Sequence, residues 1–283
     1  MRRGRRVLAV LVVIASLAGV LVQFGIPGEI RTVIIRNTVG IAPELFYRDL
    51  RGDLLEDYEN VFAVAHNAGD RLGATQEAIA YGADIIEIDV ISVGGILYAA
   101  HDRPGPILGT LLTFNGPTLE RIWAEAVQTG IVKFDLKEST PAFIQLVIAF
   151  VKQRTAGSSV QVILATRSQA ALAVLRPALP AAILLYSIGT LDALRAMRDN
   201  EQLLSLIDGV TIQAGLLDED NIAWMKKLRL LIFAWTVNRL DVVNELARLG
   251  VNAITTDNLA IMELLGKSGR PITRPQTAAS AGP

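Results

Sequence analysis

The sequence predicts a closed barrel of eight parallel strands, each followed by a helix, as the main domain of this chain. Short apolar runs rich in β-branched residues alternate with helix-like segments from Val61 onward. Eight strands and eight helices are predicted before the chain becomes polar near residue 267. Most of the predicted strands end in a polar residue, which is typical of barrels whose active site is built at the carboxyl ends of the strands.

The predicted elements follow one another at regular intervals. The strands are 61–66, 85–90, 131–137, 160–166, 181–187, 209–213, 230–237 and 252–257. The helices are 73–81, 118–129, 141–153, 168–177, 190–200, 218–227, 239–249 and 258–265, and an extra extended segment covers 95–102. A doubly wound sheet would alternate in the same way. Because no Gly-x-Gly-x-x-Gly turn follows the first strand, the sequence favours a TIM barrel.

The composition excludes several classes of protein. The 283 residues carry a net charge of −1, which gives no electrostatic footprint for nucleic acid. The chain has no cysteine, so disulfides, thiolate nucleophiles and cysteine-ligated zinc are excluded. Half of the residues are apolar, which is ample for a core. Only two histidines are present, which makes the position of each one informative.

The amino-terminal segment predicts membrane attachment. Four arginines among the first six residues precede an apolar run from Val7 to Ile26, about the length that spans a bilayer. We expect residues 1–26 to form a transmembrane signal anchor in the cell membrane, with the arginines in the cytoplasm and the barrel outside. Secretion after cleavage of a signal peptide is the alternative. Residues 27–60 are interpreted as a connector, 61–266 as the barrel and 267–283 as a disordered tail.

Two carboxylates on the second strand suggest a metal site. Glu87 and Asp89 are two residues apart, so both side chains point to the same face of the strand. Two carboxylates on one buried face persist when a cation lies between them or when one is protonated. Asp135, on the next strand, can complete a three-carboxylate site for Mg²⁺ or Ca²⁺. The alternative is ion pairing of one carboxylate with Lys137.

The two histidines, His66 and His101, follow strands at the same predicted mouth of the barrel. Such a pair could serve as general base and general acid near neutral pH. Lys137 is expected to neutralise phosphate charge. Asp257, after the last strand, is interpreted as the N-cap of the final helix.

The motifs together resemble the glycerophosphodiester phosphodiesterase family. They are "VFAVAHNAGD", "GADIIEIDV", "GILYAAHD", "FDLK", "WTVN" and "GVNAITTD", in the family's order from about Val61 to Met262. The resemblance implies a TIM barrel that hydrolyses a phosphodiester with a divalent metal. It implies that the metal ligands are Glu87, Asp89 and Asp135, and that His66 and His101 are the acid–base pair. A neighbouring substrate hydroxyl would attack phosphorus, and water would open the resulting cyclic phosphate.

The sequence departs from that family at the expected phosphate site. Asn67 stands where the family has arginine after the first histidine, and Arg71, Arg103 or Arg167 could replace that cation. The candidate substrate-binding residues are Asn67, Lys137, Arg167 and Trp235. The third acid is Asp135 rather than glutamate, so "FDLK" is similar to the sphingomyelinase D-type phospholipases.

Several functions remain open from the sequence. The substrate is expected to be a glycerophosphodiester or a lysophospholipid, because the apolar segment 107–114 would lie beside the mouth of the barrel. The alternatives are a phospholipase D-like enzyme that releases a cyclic phosphate and another metal-dependent hydrolase acting on an ester or sugar. A degenerate barrel that binds a ligand at the cell envelope without catalysis is a further alternative.

Overall fold

The computed structural model describes Tyr58, residues 61–101, residues 116–266 and Ile272. The strands are β1 (Phe62–Ala65), β2 (Ile85–Val93), β3 (Ile96–Ala99), β4 (Ile131–Leu136), β5 (Gln161–Thr166), β6 (Ile183–Ile188), β7 (Gly209–Gln213), β8 (Leu231–Trp235) and β9 (Ala253–Thr256). The helices are α1 (Leu72–Ala80), α2 (Leu119–Ala126), α3 (Pro141–Thr155), α4 (Gln169–Ala178), α5 (Leu191–Arg198), α6 (Glu201–Leu206), α7 (Glu219–Lys227), α8 (Leu240–Leu249) and α9 (Leu259–Leu265).

Eight of these strands close into a parallel barrel. The sheet order is β1-β9-β8-β7-β6-β5-β4-β2-β3, and an additional parallel pairing of β1 with β2 closes the ring. β3 lies outside the ring as the antiparallel partner of the end of β2. The TIM barrel is therefore confirmed, and 95–102 contains the extra strand that the sequence predicted.

Seven of the nine helices given above begin after a residue whose side chain caps them. A side-chain oxygen accepts a hydrogen bond from a backbone N–H of the first turn at seven helices, whose N-caps are Thr118, Thr140, Ser168, Thr190, Asn200, Asp218 and Asn258. The predicted helix 190–200 ends at Arg198, and the short helix α6 that follows was missed. Asn200 explains the break because its side chain accepts from the Leu203 N–H and starts a new helix.

The core has two parts. The larger part packs the helices against the outer face of the sheet. The smaller part fills the barrel at the amino ends of the strands and consists of alternate strand residues, among them Val64, Ile85, Ile163 and Phe233. Strand side chains alternate between the two faces of the sheet. His66 and Glu87, two residues after Val64 and Ile85, therefore point into the barrel at its carboxyl-end mouth.

The predicted terminal segments lie almost wholly outside the described residues, as do residues 102–115. No helix within the described ranges is long and apolar enough to span a bilayer. Ile272, inside the predicted disordered tail, is buried at 4% exposure against the amino end of the barrel. Its backbone exchanges two hydrogen bonds with the Gln161 side chain, so this residue at least is held in place.

Candidate active site at the carboxyl ends of the barrel strands

The inner face of β2 carries two acids, and acidic and basic side chains alternate along β4 beside it. Glu87 is the register partner of Lys133, and Asp89 is the register partner of Asp135. Lys137 follows at the end of β4, and its Nζ lies 2.5 Å from Asp135 Oδ2 and 3.0 Å from Asp89 Oδ1. The sequence predicted this convergence of three carboxylates. It also left open the ion pairing of Lys137, and the structure shows that pairing with two of the acids.

The three carboxylates fit a divalent cation. One oxygen from each of Glu87, Asp89 and Asp135 lies within 4.8 Å of the others, as hard-cation sites require. Glu87 Oε2 is buried and has no hydrogen-bond partner among the described residues. A buried carboxylate oxygen without a partner is costly, and a cation ligand bond would satisfy it. The donor set, which is oxygen only, suits Mg²⁺ or Ca²⁺ rather than a soft metal.

The charges at the cluster shift the pKa values of its acids in opposite directions. Burial raises the pKa of Asp89 to about 6, and the carboxylates of Asp135 and Glu87 add to this, while Lys137 opposes it. Burial also acts on Asp135, but the positive charges of Lys137, Lys133 and Arg167 outweigh it and lower its pKa. The ionisation of these acids is therefore linked, and the charge of Lys137 favours the ionised form of both Asp89 and Asp135.

Asp70 is a fourth acid at this site, which was not predicted from the sequence. Its Oδ1 accepts a hydrogen bond from the Asp89 backbone N–H at 3.0 Å. Burial and the nearby Asp89 charge raise its pKa well above the usual range. The signal that could have found it is its position, four residues after the strand-end histidine in "HNAGD". Asp70 fixes the backbone of a candidate metal ligand.

His66 is held by an acid from the opposite end of the chain. Its Nδ1 lies 2.9 Å from Asp257 Oδ1, and the side chains are 27% and 30% exposed. Asn238 Nδ2 donates to Asp257 Oδ2 at 3.0 Å, and Asn238 Oδ1 accepts from the Asp257 N–H at 2.8 Å. Burial lowers the pKa of His66, but the hydrogen bond to Asp257 and the surrounding carboxylates raise it above its ordinary value overall.

The interpretation of Asp257 as a helix cap is wrong. Asn258 caps α9, since its Oδ1 accepts from the Ala260 N–H at 3.0 Å. The Asp257 carboxylate instead pairs with His66. The sequence placed both residues after the last strand, but neighbouring Asp and Asn are equally good caps, so only the structure separates their roles.

Asn67 lies against the metal cluster. Its backbone is in the left-handed region, with φ of 50°, which asparagine tolerates better than most residues. With its carboxamide oriented to donate, Asn67 Nδ2 lies 3.2 Å from Asp89 Oδ2 and 3.3 Å from Oδ1. Asn67 therefore contacts a candidate metal ligand, and its assignment to substrate binding stays a prediction.

Arg167 and Trp235 lie together on the other side of the mouth. Both approach Gly189, and a Cβ built there would meet Arg167 Nη2 at 3.6 Å and the Trp235 ring at 3.7 Å. Arg167 is exposed and Trp235 is half-buried. The positive charge of Arg167 also helps to lower the pKa of Asp135, so Arg167 acts electrostatically on the acid cluster. Arg71 is exposed at the start of α1, and Arg103 lies outside the described residues.

His101 follows β3 and is exposed. The N–H of the preceding Ala100 donates to the Asp89 carbonyl at 2.8 Å, which ties the end of this strand to β2 at the metal cluster. The backbone before His101 is thus fixed beside the candidate site. Its assignment as the second histidine of the pair stays a prediction.

Known proteins of similar fold were found by structure alone. No protein-family model and no curated protein matches the sequence. A phosphodiesterase from Oleispira antarctica, solved with its product sn-glycerol 3-phosphate, is 18% identical, with 71% of this chain and 95% of that chain covered and a TM-score of 0.59. A glycerophosphodiester phosphodiesterase from Parabacteroides distasonis is 19% identical, with coverage of 72% and 95% and a TM-score of 0.57.

A third enzyme of this kind, from Thermotoga maritima, is 16% identical, with coverage of 71% and 96% and a TM-score of 0.53. This is the fold of the glycerophosphodiester phosphodiesterases. The likeness spans nearly the whole length of each solved chain. It confirms the fold that the sequence motifs implied.

Proposed function

We propose that this chain is a divalent-metal-dependent phosphodiesterase that hydrolyses glycerophosphodiesters. The observation that carries the proposal is the His66–Asp257 pair, 2.9 Å apart, at the same barrel mouth as three carboxylates within 4.8 Å of one another. A proton-accepting histidine beside a hard-cation site is what phosphodiester cleavage needs. The fold shared with glycerophosphodiester phosphodiesterases supports the choice of substrate class.

Glu87, Asp89 and Asp135 would hold the cation, Mg²⁺ or Ca²⁺. When bound, it supplies positive charge to the phosphate oxygens and so lowers the cost of the charge that develops there. Asp70 and Asn67 orient Asp89 from its backbone and side chain respectively. Lys137, which lies between Asp89 and Asp135, would neutralise the negative charge of one phosphate oxygen.

His66 and His101 would divide the proton transfers. With Nδ1–H donated to Asp257, His66 Nε2 is free to accept the proton of a neighbouring substrate hydroxyl as that oxygen attacks phosphorus. His101 then gives a proton to the leaving alcohol as its P–O bond breaks. In the second step water opens the cyclic phosphate with the two roles reversed, and the protons balance.

The remaining candidates contribute to substrate binding. Arg167, close to Trp235 and Gly189, is the described arginine best placed to replace the cation missing at residue 67. Trp235 offers an aromatic face for the head group. We propose a lysophospholipid as a second substrate on the basis of the apolar segment 107–114, which lies outside the described residues.

A direct assay tests the proposal. The purified full-length chain is incubated with glycerophosphocholine or lysophosphatidylcholine, in Mg²⁺, Ca²⁺ or EDTA, and the released choline and phosphate products are measured. We expect sn-glycerol 3-phosphate from glycerophosphocholine with metal and none with EDTA. Full activity in EDTA would contradict the metal site. Release of cyclic phosphate as the final product would instead favour the phospholipase D-like alternative.

The cellular location is a separate proposal that rests on the sequence. We propose that residues 7–26 anchor the chain with the barrel on the extracytoplasmic side of the cell membrane. Protease added to spheroplasts should then digest the barrel. Protection until the membrane is broken would reverse the proposed orientation.

A further inference from the structure

A lysine lies inside the barrel beneath the candidate metal site. Lys133 is 1% exposed and is among the largest fully buried side chains of the described residues. A buried ammonium is costly unless it is paired and hydrogen-bonded. The proton transfers and the phosphate contacts described above make no use of it, so its presence needs another explanation.

Lys133 donates a hydrogen bond to one of the two carboxylate oxygens of Glu87. Its Nζ donates to Glu87 Oε1 at 2.6 Å and to Thr211 Oγ1 at 3.4 Å, which ties β4 to β2 on one side and to β7 across the barrel. The second oxygen of the same carboxylate, Oε2, is buried without a partner among the described residues. The lysine therefore fixes the carboxylate by one oxygen and leaves the other for a cation.

Two lysines pair with the three candidate metal ligands. Lys133 and Lys137 lie against Glu87, Asp89 and Asp135, so two positive charges face three ligand carboxylates. A divalent cation that enters this group meets attraction from the acids and repulsion from both ammonium groups. Lys133 should therefore weaken cation binding while it stabilises the empty barrel.

We propose that Lys133 is a positioning residue that presents Glu87 as a one-oxygen ligand and lowers the affinity of the site for divalent cations, so that the barrel folds without metal. The inference rests on the proposed metal site. It assigns a role to a residue that lies outside the ligand set and outside the acid–base pair. Its consequence is that removal of the lysine makes metal bind more tightly and makes the fold depend on metal.

The test compares variants of the full-length chain with Mn²⁺ as the probe. Free Mn²⁺ is followed by electron paramagnetic resonance, and Tm is measured in EDTA and in excess Mn²⁺. Lys133→Met should lower the Kd for Mn²⁺ by at least about tenfold. It should also lower Tm in EDTA by on the order of 10 °C, because the buried Glu87 loses its partner, and Mn²⁺ should restore most of that loss.

Two controls separate charge from packing. Thr211→Val removes the neutral contact to the same ammonium and should leave the Kd for Mn²⁺ within about twofold, since no charge is changed. Glu87→Gln/Lys133→Met removes both charges and should regain Tm in EDTA while binding Mn²⁺ more weakly than Lys133→Met. If Lys133→Met fails to fold even with Mn²⁺, Lys133→Gln replaces it, with the same expected tightening.

The outcomes distinguish this inference from the proposed function. Unchanged or weaker Mn²⁺ binding in the lysine variant, with a normal wild type, overturns the role of Lys133 alone. Absence of Mn²⁺ binding in both chains overturns the metal site and this inference with it. Tighter binding together with metal-dependent Tm supports both.

Discussion

The two halves of the barrel interior are built from the same strands but have opposite chemistry. On β2, Ile85 is packed in the apolar layer, whereas Glu87 and Asp89, two and four residues further along the same face, belong to the acid cluster. On β8, buried Phe233 precedes half-buried Trp235 in the same way. The residues that stabilise the barrel and those that form the candidate site are therefore separated along each strand by a single step of two residues.

This separation follows from the cost of burial. Apolar side chains at the amino ends contribute roughly 25 cal/mol per Å² removed from water, while each buried charge at the carboxyl ends costs free energy unless it is paired. The pairs at the mouth, such as Lys133–Glu87 and His66–Asp257, limit that cost. We therefore expect mutations in the two halves to affect different measurements.

The largest effect on activity is expected at the mouth. His66→Ala should reduce kcat by about 10²–10⁴-fold, because the proton acceptor is lost. The Tm should stay near that of the wild type, since the side chain is 27% exposed and Asp257 keeps its hydrogen bonds to Asn238. His101→Ala should show the same loss. Turnover is measured on glycerophosphocholine, with Tm taken from a thermal scan.

Gln213→Ala is the matched control, an exposed side chain at the end of β7 on the same mouth. It should retain near-wild-type kcat. Near-full activity in either histidine variant would remove that histidine from the proposed mechanism.

The largest effect on stability is expected in the apolar layer at the amino ends of the strands. Phe233→Ala should lower the free energy of unfolding by about 3–5 kcal/mol, because a fully buried ring leaves a cavity among the apolar layer. At a temperature where the variant is still folded, kcat should be close to that of the wild type. Leu228→Ala, at a side chain that is 41% exposed, should change stability little. A Phe233 variant with normal Tm and abolished kcat would contradict the separation of stabilising residues from the candidate site.

The same division explains what the sequence predicted and what it missed. Alternation of apolar runs and helical segments predicted all eight barrel strands, because strand burial depends on local pattern. The carboxylate cluster was also predictable, since Glu87 and Asp89 are two residues apart on one strand. Lys133 was missed, although it alternates with Asp135 on β4 and with Lys137 just after it, because its partner Glu87 comes from another strand.

Pairings between distant residues account for the other differences. The His66–Asp257 bond joins residues 191 positions apart, and nothing local to "TTDN" distinguishes the histidine partner from the helix cap. The contact of Asn67 with Asp89 was also not predicted, because it depends on how two strand ends meet, while the assignment of Asn67 to substrate binding stays a prediction. Such pairings are set by register around the barrel rather than by sequence pattern.

A smaller effect on activity is expected from the partner of His66. Asp257→Asn should lower kcat by about ten- to a hundredfold, as loss of an orienting hydrogen bond commonly does. Asp257 raises the pKa of His66, so the variant should lower that pKa. Because the base must be neutral, the acidic limb of the pH–kcat profile should move to lower pH.

Asn258→Ala is the matched control for this prediction, because it changes the next residue in the chain. Loss of the α9 cap should cost about 0.5–2 kcal/mol of stability and leave the pH profile in place. An unshifted acidic limb in Asp257→Asn would show that Asp257 does not act through His66.

The smallest effect is expected at the solvent-exposed rim. Arg167→Ala should raise KM for glycerophosphocholine by about tenfold with kcat nearly unchanged, because a screened, exposed guanidinium adds to phosphate binding without taking part in proton transfer. Arg167→Lys should recover part of the KM, since it keeps the charge but not the planar fork. Arg195→Ala, at an exposed arginine on α5 paired with Asp192, should leave both constants unchanged. If Arg167→Ala lowers kcat and leaves KM unchanged, Arg167 acts on the transition state and belongs with the histidines rather than with the rim.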